Sequence, residues 1–183
     1  MKSQNLVKIV SACVGVVVAL LFLVLVVSEP DQDIVATSPL LGQPAPSVAS
    51  TTIDGEPFAL ERRKGSWVVL NFFNSTCVPC INEHDLLVEF AASELANANA
   101  AELYTIINDD SSDAVREFFT KNGGTWPKIT DDNGTIAVAF GVARVPETWI
   151  IDPNGIVRLR ITGELSAGLL TEQVNRLREE FVS

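Results

Sequence analysis

Cysteine is scarce in this chain: three in 183 residues, at positions 13, 77 and 80. Histidine occurs once, as His84. A structural zinc site needs about four ligands. Only Cys13 and His84 could join the 77/80 pair, so a zinc site is set aside. Two cysteines three residues apart also close too short a loop to staple a fold. That leaves redox chemistry for the pair. Positive charge is equally sparse. No Lys or Arg lies between Lys8 and Arg62, and the formal net charge is −10. So acidic a chain excludes nucleic acid and anionic membrane surfaces as partners. Repeats and low-complexity tracts are absent; Asn97-Ala98-Asn99-Ala100 is only a short polar loop.

Long apolar runs are not absent. Residues 6–27 are almost wholly apolar, broken by Lys8, Ser11 and small residues. The run is long enough to cross a bilayer core of roughly 30 Å. Lys2 and Lys8 stand at its start, and Glu29, Asp31 and Asp33 follow it. That asymmetry keeps residues 1–5 in the cytoplasm and sends the rest of the chain outside. The expectation is a single-pass signal-anchor in the cell membrane with an extracytoplasmic domain. A cleaved signal peptide fits less well, because its apolar core is usually roughly 7–15 residues. A lipidation box at Val10-Ser11-Ala12-Cys13 would have too short a core before it. Residues 28–42 contain Pro30 and Pro39 and read as a tether, though Leu40 and Leu41 would also suit packing along the domain. Residues 43–183 are then one ordinary domain, expected to be a monomer.

Within it, Val48–Ile53 and Pro57–Leu60 flank Asp54-Gly55, a hairpin signal. Trp67-Val68-Val69-Leu70-Asn71-Phe72-Phe73 reads as a buried strand, with a helix expected from about Val78 to Leu95. A second buried strand covers 102–107. Ser111-Ser112-Asp113 can cap a helix running to Lys121, stopped by Gly123-Gly124. A helical turn is expected over 136–140, strands over 148–152 and 156–161, and a last helix from Ser166 to about Phe181. Strand–helix–strand–helix, then a hairpin and a helix, predicts an α/β domain with a mixed central sheet, helices on both faces and an extra N-terminal β-hairpin.

Cys77-Val78-Pro79-Cys80 sits where that central strand ends and a helix begins. Unpaired N–H groups and the positive end of a helix dipole favour a thiolate there. Cys77 is then the exposed nucleophile, and Cys80, one turn in, can resolve a mixed disulfide. Pro79 is tolerated in a first helical turn.

These residues resemble the thioredoxin fold, and more narrowly the membrane-anchored TlpA/ResA/CcmG (DsbE) thiol–disulfide oxidoreductases. Gly42-Gln43-Pro44-Ala45-Pro46 resembles their domain opening, residues 71–80 their active-site block, and residues 141–155 their cis-proline block. The resemblance covers about residues 42–181. It implies a cis Pro146, a redox-active disulfide as the only cofactor, and a protein disulfide as substrate. It also implies apocytochrome c as client in cytochrome c biogenesis, with a transmembrane thiol reductase supplying electrons. Copper-delivery proteins are clients of some relatives. Glu83 matches an acid of the ResA and CcmG branches, three residues after Cys80 and able to exchange protons with the cysteines; Glu147 is a second candidate. Thr76 departs from the usual Trp, and Asn71 stands where cytosolic thioredoxins place a buried acid. His84 is expected on the surface without a catalytic role. The opening block also resembles peroxiredoxins, but Leu70 and Asn74 break their pattern of Thr and Pro ahead of the cysteine. A Sco-type copper chaperone would need CxxxC and a distant His. Asp131-Asp132-Asn133-Gly134 is expected to form a turn rather than a calcium loop.

Overall fold

The computed structural model describes residues 14–18, 20 and 35–182. Residues 1–32 and Asp33–Ser183 form two separate units. In the first, residues 14–18 and 20 are helical, and Val14, Val16, Val17, Val18 and Leu20 are exposed. Among the described residues no helix is long and apolar enough to cross a membrane. The expected span 6–27 falls mostly outside them, as do Cys13 and the first part of the tether.

The second unit begins with a hairpin of β1 (Ala49–Thr51) and β2 (Pro57–Ala59), followed by β3 (Trp67–Phe73), α1 (Val78–Asn82) and α2 (His84–Glu94). Then come β4 (Ala101–Ile107), α3 (Ser112–Asn122), β5 (Lys128–Thr130) and α4 (Thr135–Phe140). The chain closes with β6 (Glu147–Ile151), β7 (Val157–Thr162) and α5 (Leu169–Val182). Five strands form a sheet in the order β5-β4-β3-β6-β7. The β3–β4 and β4–β5 pairs are parallel, and β3–β6 and β6–β7 are antiparallel.

The central strand β3 is buried at all seven residues because both of its faces are covered. Its side chains alternate. Trp67, Val69 and Phe73 join a core with Leu87 and Phe90 of α2, Val115 and Phe119 of α3, and Leu170, Val174 and Leu177 of α5. Val68, Leu70 and Phe72 join the opposite core, with Phe58 of the hairpin, Ile136 and Phe140 of α4, and Trp149 of β6. Full burial of one such side chain contributes roughly 1.5–3 kcal/mol. Asn71 is the exception in this apolar strand, and it lies on the α2 face.

Local signals set the boundaries. Ser111 caps α3, its hydroxyl accepting the Ala114 N–H at 3.2 Å. Beyond the helix, Gly124 takes a positive φ of 95°, and a Cβ there would come within 2.8 Å of the Trp126 ring. Asp131 accepts the N–H groups of Ile136 and Ala137 at 2.7 and 2.9 Å, so this carboxylate holds the first turn of α4. Asp152 accepts from Asn154 and Ile156, both at 2.9 Å, which shapes the β6–β7 turn.

The expected tether is different where it is described. From Val35 the chain lies along the outer edge of β7. Ala36 N–H donates to Arg160 at 2.9 Å, Gly42 N–H to Val157 at 2.8 Å, and Val157 N–H returns a bond to Gln43 at 2.9 Å. Leu40 and Leu41 pack on the core that contains Phe72 and Trp149. An open strand edge invites pairing with other chains, and this segment covers it. The opposite edge, β5, is covered by the hairpin through the Ile53 N–H to Lys128 bond at 2.9 Å. Sequence reading missed β5, whose three residues are too few to show a period.

Candidate active site

Strand β3 stops at Phe73 because the next side chain takes over the backbone bonding. Asn74 Nδ2 donates to the carbonyls of Asn108 and Asp109 at 3.0 and 2.8 Å, and its Oδ1 accepts the Thr76 N–H at 2.8 Å. Asp110 accepts the Ser75 N–H at 2.6 Å. The loops that follow the parallel strands β3 and β4 are thereby clamped together. Sequence reading named none of this clamp. An Asn directly after an apolar strand was the available signal.

The clamp delivers Cys77 to the N-cap of α1, where its Sγ accepts the Cys80 N–H at 3.3 Å. Cys77 is half-buried and Cys80 is fully buried. The two form a disulfide with Cα atoms 5.2 Å apart. In the reduced state the same N–H would favour a Cys77 thiolate. Val78 is 65% exposed and Ile81 43%, so the surface beside the sulfur is apolar. Thr76, in place of the family's usual Trp, is exposed and bonds Asn74 through its hydroxyl at 2.7 Å.

Across from Cys77, the Val145–Pro146 peptide bond is cis and Pro146 is buried. The Val145 carbonyl oxygen lies 3.6 Å from Cys77 Sγ. The sequence places these segments 68 residues apart; antiparallel pairing of β3 with β6 brings them together.

Glu83 separates α1 from α2, so the single helix expected over 78–95 is two helices with a break between them. Its side chain is fully buried. Oε1 accepts from Asn71 Nδ2 at 2.8 Å, and Oε2 accepts the Leu165 N–H at 2.8 Å. Burial is the largest influence, and the neighbouring Glu164 adds repulsion. The two hydrogen bonds oppose them, and the carboxyl pKa settles at about 7.

Glu147 is also buried, but it belongs to the other face of the sheet. Its register partner on β3 is Phe72, whereas that of Thr148 is Asn71. Its carboxylate takes a fork of bonds from Arg160 at 2.9 and 3.0 Å and another from Trp149 Nε1 at 2.8 Å. The structure therefore brings Cys77, Cys80 and Pro146 together, puts Glu83 at the end of their helix, and places Glu147 across the sheet in an ion pair.

His84 is a correction. It was expected at the surface, yet only 2% is exposed. Three residues before Leu87, it shares the buried face of α2 and lies against Phe118, Phe119 and Trp126, with its Nε2 3.2 Å from the Gly123 carbonyl. Burial lowers its pKa below the ordinary histidine value. Nearby Lys128, held over the Phe119 ring at 4.2 Å, is pushed down to about 8, again by burial.

Comparison with known proteins places this geometry. The model of the AhpC/TSA family matches residues 41–160. The chain belongs to the AhpC/TSA family. Within it, the chain is similar to thiol-disulfide oxidoreductase ResA of Bacillus thuringiensis, 28% identical over 137 residues, covering 75% of this chain and 78% of that one. It is similar to thiol:disulfide interchange protein HelX of Rhodobacter capsulatus, 29% identical over 141 residues, with 75% and 77% covered. The solved structure of MTB dsbF in its mixed oxidized and reduced forms is 28% identical, with a TM-score of 0.65, covering 71% of this chain and 94% of that one. The resemblance to ResA/CcmG/DsbE oxidoreductases, first read from three sequence blocks, is borne out, as is the thioredoxin-like mixed sheet.

Proposed function

We propose that this AhpC/TSA-family chain is a membrane-anchored, extracytoplasmic thiol–disulfide oxidoreductase that reduces disulfides in partner proteins. The observation that carries the reading is the Cys77–Cys80 disulfide at a helix start, one sulfur reachable and the other buried, beside the cis Val145–Pro146 bond. The reduced Cys77 thiolate attacks a partner disulfide, forming a mixed disulfide and releasing one partner thiolate. Cys80 then attacks the Cys77 sulfur, releasing the second partner thiolate and leaving the pair oxidised. Two electrons pass from the pair to the partner. Glu83 takes or returns the proton that Cys80 loses or gains, since a carboxyl near neutrality can do either. Pro146 has no N–H, so an extended partner segment can pair with the backbone beside the sulfurs.

The family resemblance supports apocytochrome c as the client and a transmembrane thiol reductase as the electron source. Support for the anchor is the apolar run 6–27 with lysines before it and acids after it. The exposed apolar helix residues 14–18 and 20 agree with it. The functional test uses the reduced full-length chain in detergent. It should reduce insulin and an oxidised CxxCH peptide and leave hydrogen peroxide unconsumed with a thiol donor. Peroxide turnover without disulfide reduction would replace this reading with a thiol peroxidase.

A further inference from the structure

Asn71 is fully buried in the middle of β3, and its Oδ1 has no hydrogen-bond partner. An unpaired buried carbonyl is costly and calls for an explanation. Its amide nitrogen is fully used, donating to Glu83 Oε1 at 2.8 Å and to Thr148 Oγ1 at 3.1 Å. Resting on the oxidoreductase reading, we propose that Asn71 is a positioning residue whose amide turns over when Glu83 gains a proton, so that one side chain serves both protonation states of the acid.

The hydrogen-bond partners of Glu83 point to this. Both Glu83 oxygens face N–H groups, one from Asn71 and one from the Leu165 backbone. Two accepting oxygens are the pattern of a carboxylate. A carboxylic acid carries an O–H that needs an acceptor, and neither the Asn71 nitrogen nor the Leu165 N–H can accept it. The Leu165 N–H is fixed in the backbone and cannot turn. The Asn71 amide can, by half a rotation about its last side-chain bond. Oδ1 then accepts from the Glu83 O–H. Thr148 suits either orientation, because a hydroxyl can accept from the nitrogen or donate to the oxygen. Turning over exchanges an unpaired acceptor for an unpaired donor. An unpaired buried N–H costs more than an unpaired carbonyl, so the turned orientation is taken only when the proton on Glu83 gives Oδ1 a donor.

Few other charges act on Glu83. Glu164 approaches from the loop before α5, and its repulsion favours the protonated form. Cys77 and Cys80 lie on α1. His84 follows in the chain but points into the Phe118, Phe119 and Trp126 cluster. The sheet presents only neutral Asn71 and Thr148. Asn71 is thus the group that adjusts when the proton used in disulfide exchange moves.

NMR on the full-length chain in detergent tests the turn directly. The Asn71 Nδ2 protons should show a cross-relaxation peak to Thr148 at pH 9 that is lost at pH 5.5, with a midpoint matching the Glu83 titration. The E83Q variant, which cannot titrate, should show no such pH dependence. A peak that persists unchanged at pH 5.5 overturns the proposal, whatever the enzyme's activity proves to be. The kinetic counterpart is N71L, which keeps the branched shape and removes both donor and acceptor. Because the turning amide serves both forms of the acid, the inflection in the rate of exchange with a dithiobis-nitrobenzoate probe that E83Q abolishes should stay in place in N71L. A rise of about one unit would show an amide that bonds the carboxylate alone, and would overturn the proposal. Failure of the chain to reduce any protein disulfide would sink the oxidoreductase reading while leaving the NMR result standing.

Discussion

Glu83 shows how one residue can oppose the stability of its own fold. Its pKa rises from 4.5 to about 7 on folding. Below pH 4.5 both folded and unfolded states hold the proton, and burial carries no electrostatic cost. As pH rises toward 7 the unfolded chain releases the proton while the folded one retains it, so stability falls. Above 7 the loss levels off at about 3 kcal/mol, from roughly 1.36 kcal/mol per pKa unit. E83Q should therefore gain denaturant resistance over the parent at pH 8 and little at pH 4.5. Equal midpoint differences at the two pH values would show a carboxyl that titrates normally. His84 acts in the opposite sense, because its pKa is lowered: it weakens the fold as pH drops below about 6.5. E83Q should also make Cys77 thiolate absorbance appear at lower pH, since an ionised Glu83 repels a nearby thiolate. Unchanged titration would assign Glu83 no tuning role. The sequence pointed to Glu83 through its match to an acid of the ResA and CcmG branches, three residues after Cys80. It misplaced His84, whose spacing from Leu87 and Phe90 puts it on the buried face of α2.

At the scale of elements, the central structure was legible and the joins were not. The run Trp67–Phe73 could be read as a buried strand because seven nearly unbroken apolar residues leave little alternative. Ser111 and Gly123-Gly124 marked the limits of α3 by cap chemistry. The loop that carries Cys77 depends instead on Asn74 and Asp110, which bond across two strands 35 residues apart. Such long-range side-chain bonds leave no periodic trace. N74A should cost about 1–2 kcal/mol from the lost backbone bonds. It should also speed alkylation of Cys77 in the reduced chain, read by mass spectrometry. An unaltered alkylation rate in a folded variant would show that α1 alone positions the sulfur. The segment 35–45 carries a second prediction. A chain beginning at residue 47 leaves the β7 edge open and should self-associate in sedimentation at concentrations where the parent does not. Equal sedimentation of the two would mean that the segment covers nothing of consequence.

For the whole molecule, the sheet divides the chemistry. The face toward α2 and α5 holds Glu83, Asn71 and Thr148, while the opposite face holds the Glu147–Arg160 pair. Alternation along β3 and β6 forces that division, and strand pairing had to be known before it could be read. Pairing also explains why Pro146 could be named from sequence only by resemblance: nothing local announces that Val145 before it meets Cys77, 68 residues away. On the proposed reading, the anchor should leave the C-terminus outside the cytoplasm. A reporter active only there, fused after Ser183, should be active, and the chain should resist a carbonate wash. A soluble form starting near residue 29 would point to a cleaved signal peptide. The division of labour between the two sulfurs is the claim on which the mechanism stands, and trapping tests it most directly. The C80S variant, incubated with an oxidised CxxCH peptide, should accumulate a stable mixed disulfide on Cys77, while C77S should trap almost none. Accumulation on Cys80 in C77S with none in C80S would contradict the mechanism.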